Sequence, residues 1–114
     1  MTLEQFFNIK DTIKRLDEQI MTFAVNSMPI TPAEKAIEKL LRKMQHKYEV
    51  IIEWHQLKSK IQSLKRDEKI LLYKKFKQKK TFEVIAKELG VGIRTAMRRM
   101  ENIRKKLKAL QVSL

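Results

Sequence analysis

The chain has 114 residues and no cysteine. That is enough for one domain, or one small domain with an extension, and it excludes disulfides, thiolate metal sites and cysteine nucleophiles. The net charge of +13 is unevenly spread: residues 1–60 carry 10 Lys/Arg against 8 Asp/Glu, whereas residues 61–114 carry 16 against 5. A tail half this basic attracts polyanions through counterion release, with acidic lipid or acidic protein as other users of the same field.

Two glycines and two prolines, set among runs of Leu, Lys, Glu, Ile and Arg, predict an all-α chain. No apolar run approaches the ~18 residues of a membrane span, and no leader with a cleavage site opens the chain, so a soluble intracellular protein is expected. The first predicted helix covers residues 3–24. Phe6, Ile9, Ile13, Leu16, Ile20 and Phe23 recur at steps of three and four, a heptad seam that lies along a second helix. An antiparallel hairpin within one chain and a subunit interface satisfy this pattern equally.

Residues 26–32 form a break. Thr31, Pro32 and Glu34 then predict a capping box at the start of a second helix, which runs to about Leu64. Its stripe of Ile37, Leu41, Met44, Tyr48 and Ile51 slips in phase onto Trp54, Leu57, Ile61 and Leu64. At roughly 50 Å it reads as a coiled-coil stem, continuous or bent near residues 58–60. Tyr48 and Trp54 are assigned to its seam, Trp54 as stem core or interface anchor. The expected boundary places a helical hairpin or oligomerisation stem at 1–63 and a three-helix unit at 64–114.

That unit begins with Asp67 and Glu68, which suit the positive start of a helix. The helix continues through Lys77 and offers Ile70, Leu71, Tyr73 and Phe76 as a third wall. Gln78, Lys79 and Lys80 link it to residues 81–100, TFEVIAKELGVGIRTAMRRM, which read as two short helices about a glycine corner. Thr81 caps the first helix, and Ile85, Ala86 and Leu89 extend the apolar face begun by Phe82. Gly90 permits the positive φ of a helix terminus, and Val91 plugs the corner. Gly92 opens the second helix, whose inner face is Ala96, Met100, Ile103, Leu107 and Leu110.

On the outer face, Arg94, Arg98, Asn102 and Lys105 fall within about 80° of one another at ~100° per residue. Thr95 lies at one margin and Arg99 further round. Most charged helix faces are merely solvated. The ordered set of Ala86, Leu89, Gly90, Val91, Ala96 and Met100 makes this face more specific, because it builds the sharp corner that projects a helix into a major groove. Arginine pairs bidentately with guanine and asparagine with adenine, which assigns base reading to Arg94, Thr95, Arg98 and Asn102. Phosphate holding falls to Lys79, Lys80, Thr81, Arg99 and Lys105.

From Leu64 onward the pattern resembles region four of bacterial sigma factors and LuxR-type helix-turn-helix units. The matching residues are Leu64, Glu68, Ile70 and Tyr73, then Ile85 to Val91, Arg94-Thr95 and Lys105-Lys106-Leu107. With its helical first half, the chain is similar to ArpU/RinA-type transcriptional regulators of phages and prophages. The match covers about 50 residues; the first 60 agree only in being helical. The resemblance implies activation of late phage genes in the cytoplasm of a bacterial host cell. Gly92 stands where such proteins often place serine, and Arg99 where some place an apolar residue.

No catalytic, metal or nucleotide site can be assembled. His46 and His55 fall on opposite sides of one helix by their spacing, both glycines are spent on the corner, and the carboxylates sit beside lysines as ordinary surface pairs. No enzyme activity, cofactor, small-molecule ligand or membrane is expected. The expected partners are double-stranded DNA and a second copy or more of the chain. Two rivals remain: a sigma-like adaptor gripping RNA polymerase with weak DNA contact, and a phage small terminase subunit recognising a packaging site.

Overall fold

In a computed structural model, the backbone is described for residues 1–112 and the side chains for residues 1–109. The fold is all-α. Six α-helices occur among the described residues: α1 (Leu3–Phe7), α2 (Ile9–Thr22), α3 (Ala33–Gln62), α4 (Arg66–Leu72), α5 (Phe82–Leu89) and α6 (Ile93–Val112). They fall into two compact units, Met1–His55 and Gln56–Leu114. The division lies inside α3, upstream of the boundary expected at residue 63. Leu57 and Ile61 are half-buried and Leu64 is buried, so the last turns of α3 belong with the tail. None of the helices is long and apolar enough to cross a membrane, among the described residues.

The first unit starts with a capping box that the periodicity argument passed over. Gln5 donates its amide to the Thr2 hydroxyl at 3.1 Å, and Thr2 donates its amide to the Gln5 side chain at 2.9 Å. The helix expected over 3–24 is broken at Asn8, whose backbone sits at φ −106°, ψ 24°. This sparsely occupied region suits a short polar residue. After Thr22 the chain widens into a π-helical turn, Phe23–Ser27, and tightens into a 3-10 turn, Met28–Ile30. The break is therefore shorter than expected.

The capping box expected at Thr31 is not the start of α3. The Thr31 hydroxyl donates backward to the Ser27 carbonyl at 2.6 Å, closing the connecting turn. α3 then runs without interruption through residues 58–60 to Gln62.

Three contacts, from α1, α2 and the π-helical turn, show the first helical stretch antiparallel to α3 within one chain. The Trp54 indole donates to the Phe6 carbonyl at 3.2 Å and stacks on the Phe6 ring at 5.5 Å and 17°. Lys47 bonds Asp17 at 2.6 Å, and the Lys43 ammonium lies 5.7 Å from the centre of the Phe23 ring. Phe6 and Phe23 are buried, and Ile9, Ile13, Leu16 and Ile20 are half-buried between them. Trp54 is thus stem core.

The face that α3 turns inward is Ala36, Leu40, Lys43, Lys47, Val50 and Trp54, all buried or half-buried. It is a seam at steps of four and three, about 100° round from the expected stripe. Ile37, Leu41, Met44 and Tyr48 are exposed, so Tyr48 is not a seam residue of this hairpin. The two lysines hid the real seam. Each lays its aliphatic stem along the hairpin and carries its charge to a ring or a carboxylate at the edge.

In the tail unit the buried side chains are Leu64, Leu71, Leu72, Ile85, Ala86, Ala96, Met100, Ile103 and Leu107. They come from the turn before α4 and from α4, α5 and α6, which build one three-helix core. The Leu110 side chain, expected on the same face, lies outside the described residues. The third wall agrees in part with expectation: Leu71 is buried and Phe76 half-buried, but Leu72 joins Leu71, and Ile70 and Tyr73 are exposed. α4 ends at Leu72 and passes into a π-helical turn, Tyr73–Lys77, which shifts the facing of every later side chain.

Candidate nucleic-acid interface

The corner between α5 and α6 follows from its local sequence. The Thr81 hydroxyl accepts from the Val84 amide at 3.4 Å and caps α5. Ile85 and Ala86 are buried one residue apart, letting α5 lie close to α6 where Ala96 is also buried. Gly90 closes the helix at φ 67°, ψ 33°. The Val91 amide reaches back to the Ala86 carbonyl at 3.0 Å, and the Gly90 amide to Lys87 at 3.3 Å, the paired bonds of a Schellman turn. Two residues later the Gly92 carbonyl accepts from the Ala96 amide at 3.1 Å and opens α6.

With its inner stripe committed to the core, α6 presents Arg94, Arg98 and Asn102 to solvent, with Thr95 half-buried at the margin. No ion pair engages Arg94, Arg98 or Arg99 among the described residues. The ridge also carries Glu101, which sequence reasoning overlooked. At ~100° per residue Arg94, Arg98, Glu101 and Lys105 share an arc of about 60°. Glu101 stands 3.9 Å from Lys105, both well exposed. The same periodicity that located the arginines contained this carboxylate. Ile93 and Met97 are exposed on the flank of the ridge and were likewise overlooked.

The residues assigned to phosphate separate into groups. Lys79 is exposed at the head of the loop, with a left-handed backbone at φ 55°. The Lys80 amide bonds the Lys74 carbonyl at 3.1 Å, which ties this loop to the preceding turn. The Lys80 ammonium differs from expectation: it is committed to Glu88 at 2.5 Å, and Lys74 bonds the other oxygen of the same carboxylate. The Thr81 oxygen is engaged as the cap, leaving its hydroxyl hydrogen to donate. Arg99 and Asn102 turn toward α4 and line a groove of about 290 Å³ with Glu68, Ile70 and Leu89.

Two carboxylates are held as anions by this framework. Hydrogen bonds from Lys74 and Lys80 lower the Glu88 carboxyl below its ordinary value. Desolvation pulls Glu68 the other way, but the Lys65 amide at 3.1 Å and the Lys106 ammonium at 3.0 Å outweigh it, and its carboxyl is also lowered. These pairs engage Lys74 of the π-helical turn, Lys80 of the loop and Lys106 of α6, three ammonium groups on two carboxylates. Arg104 packs on Phe76 at 5.5 Å and Lys75 on Phe82 at 4.4 Å, consuming two further cations as ring contacts. Among the described residues, Arg94 and Arg98 on the ridge keep their charge unpaired, as do Arg66, Lys69, Lys77 and Lys87 elsewhere on the exposed surface of this unit.

No family model, curated protein or solved structure matches the chain.

Proposed function

We propose that the chain is a sequence-specific double-stranded DNA-binding transcriptional regulator of the phage or prophage late-activator kind, with α6 as its recognition helix. The observation that carries the reading is the pairing of a left-handed Gly90 corner with an exposed Arg94–Arg98 ridge at the start of α6. Groove-reading helices use their N-terminal residues on base edges, where both arginines lie. Arg94 and Arg98 pair with guanine, Glu101 accepts from a cytosine amino group, and the exposed Ile93 and Met97 suit thymine methyl groups. Thr95 and Asn102 read at the margins. Lys79, Arg99 and Lys105 hold phosphates, and Lys80 supports the loop through Glu88.

The test is selection of bound duplexes from a random pool by the full chain. A defined motif is expected, and Arg98→Ala should weaken binding to it by about 1–3 kcal/mol while relaxing one position. Equal affinity of the wild-type chain for selected and random duplexes would overturn the proposal.

A second reading has one observation in its favour. The groove lined by Glu68, Ile70, Leu89 and Arg99 has an apolar floor and a charged rim, as a site for a segment of RNA polymerase would. An Ile70→Glu variant that keeps duplex selectivity but loses polymerase in co-purification would establish this adaptor role.

A further inference from the structure

We infer that the exposed stripe of α3 formed by Ile37, Leu41, Met44, Tyr48 and Ile52 is the seat of a second copy of this chain. These side chains recur at steps of four, three, four and four, and at ~100° per residue they share an arc of about 80°. Their relative exposures are 54%, 58%, 39%, 63% and 54%. A helix that lies on one neighbour has one apolar face. α3 has two, one spent on α2 and one facing outward.

The stripe identifies its occupant by charge and by area. It contains no charged side chain, and residues 1–60 are close to neutral, with 10 Lys/Arg against 8 Asp/Glu. Neither an acidic nor a basic partner finds complementary charge there, and a polyanion is drawn to the tail instead. Two copies of this unit meet with little repulsion. The exposed part of these five side chains amounts to roughly 500 Å², more than scattered surface residues present. Covered by its own equivalent across a two-fold axis, it buries roughly 1,000 Å² in total, the size at which specific interfaces begin.

The surface also continues onto α2. Ile9, Ile13, Asp17 and Met21 line an open groove there. Asp17 is joined at 2.6 Å to Lys47, one helical turn from Met44 and from Ile51. A helix laid on the stripe therefore borders further apolar surface. The inference deepens the proposed function: its consequence, two ridges on two half-sites, rests on that reading, whereas the pairing itself does not.

The test is the solution mass of the full chain without DNA, by sedimentation equilibrium across a micromolar concentration range. The wild type should weigh twice the 13.6 kDa of one chain. Leu41→Glu and Tyr48→Glu, both at exposed positions, should retain helical circular dichroism and weaken association about 100-fold or more. Lys39→Glu, on the opposite side of α3, should remain paired. A wild type of single-chain mass at every concentration overturns the inference, as does a Leu41→Glu variant that stays paired. A single-chain wild type that still selects a duplex motif overturns the pairing alone. A paired chain that selects none overturns the proposed function alone.

Discussion

Lys79 holds a conformation that its side chain disfavours. A non-glycine residue at φ 55° costs on the order of 1 kcal/mol, and the loop keeps it there through the Lys80–Lys74 backbone bond and the double clamp on Glu88. The phosphate contact proposed for Lys79 would account for lysine there instead of glycine. Lys79→Gly should therefore raise the thermal stability of the chain while weakening every duplex alike, which melting curves and binding to selected and random duplexes will show. Gly92 is the complementary case. A β-carbon there would meet only the Thr95 hydroxyl, at 3.9 Å. Gly92→Ser should fold normally and gain a few tenths of a kcal/mol from a side-chain cap on α6, read from denaturant midpoints.

Among the elements, the α5–α6 corner was the most legible part of the chain. Thr81, Ala86, Gly90 and Ala96 each do locally what their chemistry predicts, and no distant partner is needed to place them. Gly90→Val should cost about 1–2 kcal/mol through its left-handed backbone, although nothing lies within 4 Å of the added carbon. A loss of stability on urea unfolding that Gly90→Asn largely avoids would identify the backbone as the cause.

The stem was less legible, because apolar periodicity cannot tell an inward stripe from an outward one. Two stripes run along α3. The inward one passes through Lys43 and Lys47, whose charges disguise their apolar stems, so the purer stripe was the misleading one. The third wall was legible in part: Leu71 is buried and Phe76 half-buried as expected, whereas Ile70 and Tyr73 are exposed. The π-helical turn at Tyr73–Lys77 changes the residue count per turn, which a fixed period cannot anticipate for Tyr73 and Phe76; Ile70 and Leu72 precede it, and α4 simply buries the neighbouring face. Glu101 shares the period of the arginines and is as legible from spacing as they are; as an acceptor it suits cytosine, where a cationic face points only to guanine.

For the whole molecule, charge is both the driving field and a constraint on stability. The tail half carries 16 Lys/Arg against 5 Asp/Glu, and two of those five, Glu68 and Glu88, each bond a lysine of another element. Both carboxyls are lowered from an ordinary value of 4.5. Their contribution to stability is therefore present above about that pH and is lost as the pH falls through the lower folded values. Melting temperature should hold against this pair of groups near neutrality and decline below pH 4.5, and a Glu68→Gln, Glu88→Gln double variant should show a shallower decline from a lower plateau.

Duplex binding should weaken steeply with salt, since each phosphate contact releases a counterion. Salt dependence alone, however, follows from any basic surface. The proposed function requires more: the start of α6 would read guanine from the major groove. Guanine N7 methylation interference on a selected duplex addresses it directly, because the methyl group blocks the acceptor that an arginine would use. Interference is expected at one or two guanines for the wild type, with one of them lost in Arg98→Ala. Binding indifferent to N7 methylation, or an interference pattern that Arg94→Ala and Arg98→Ala leave unchanged, would contradict the proposal.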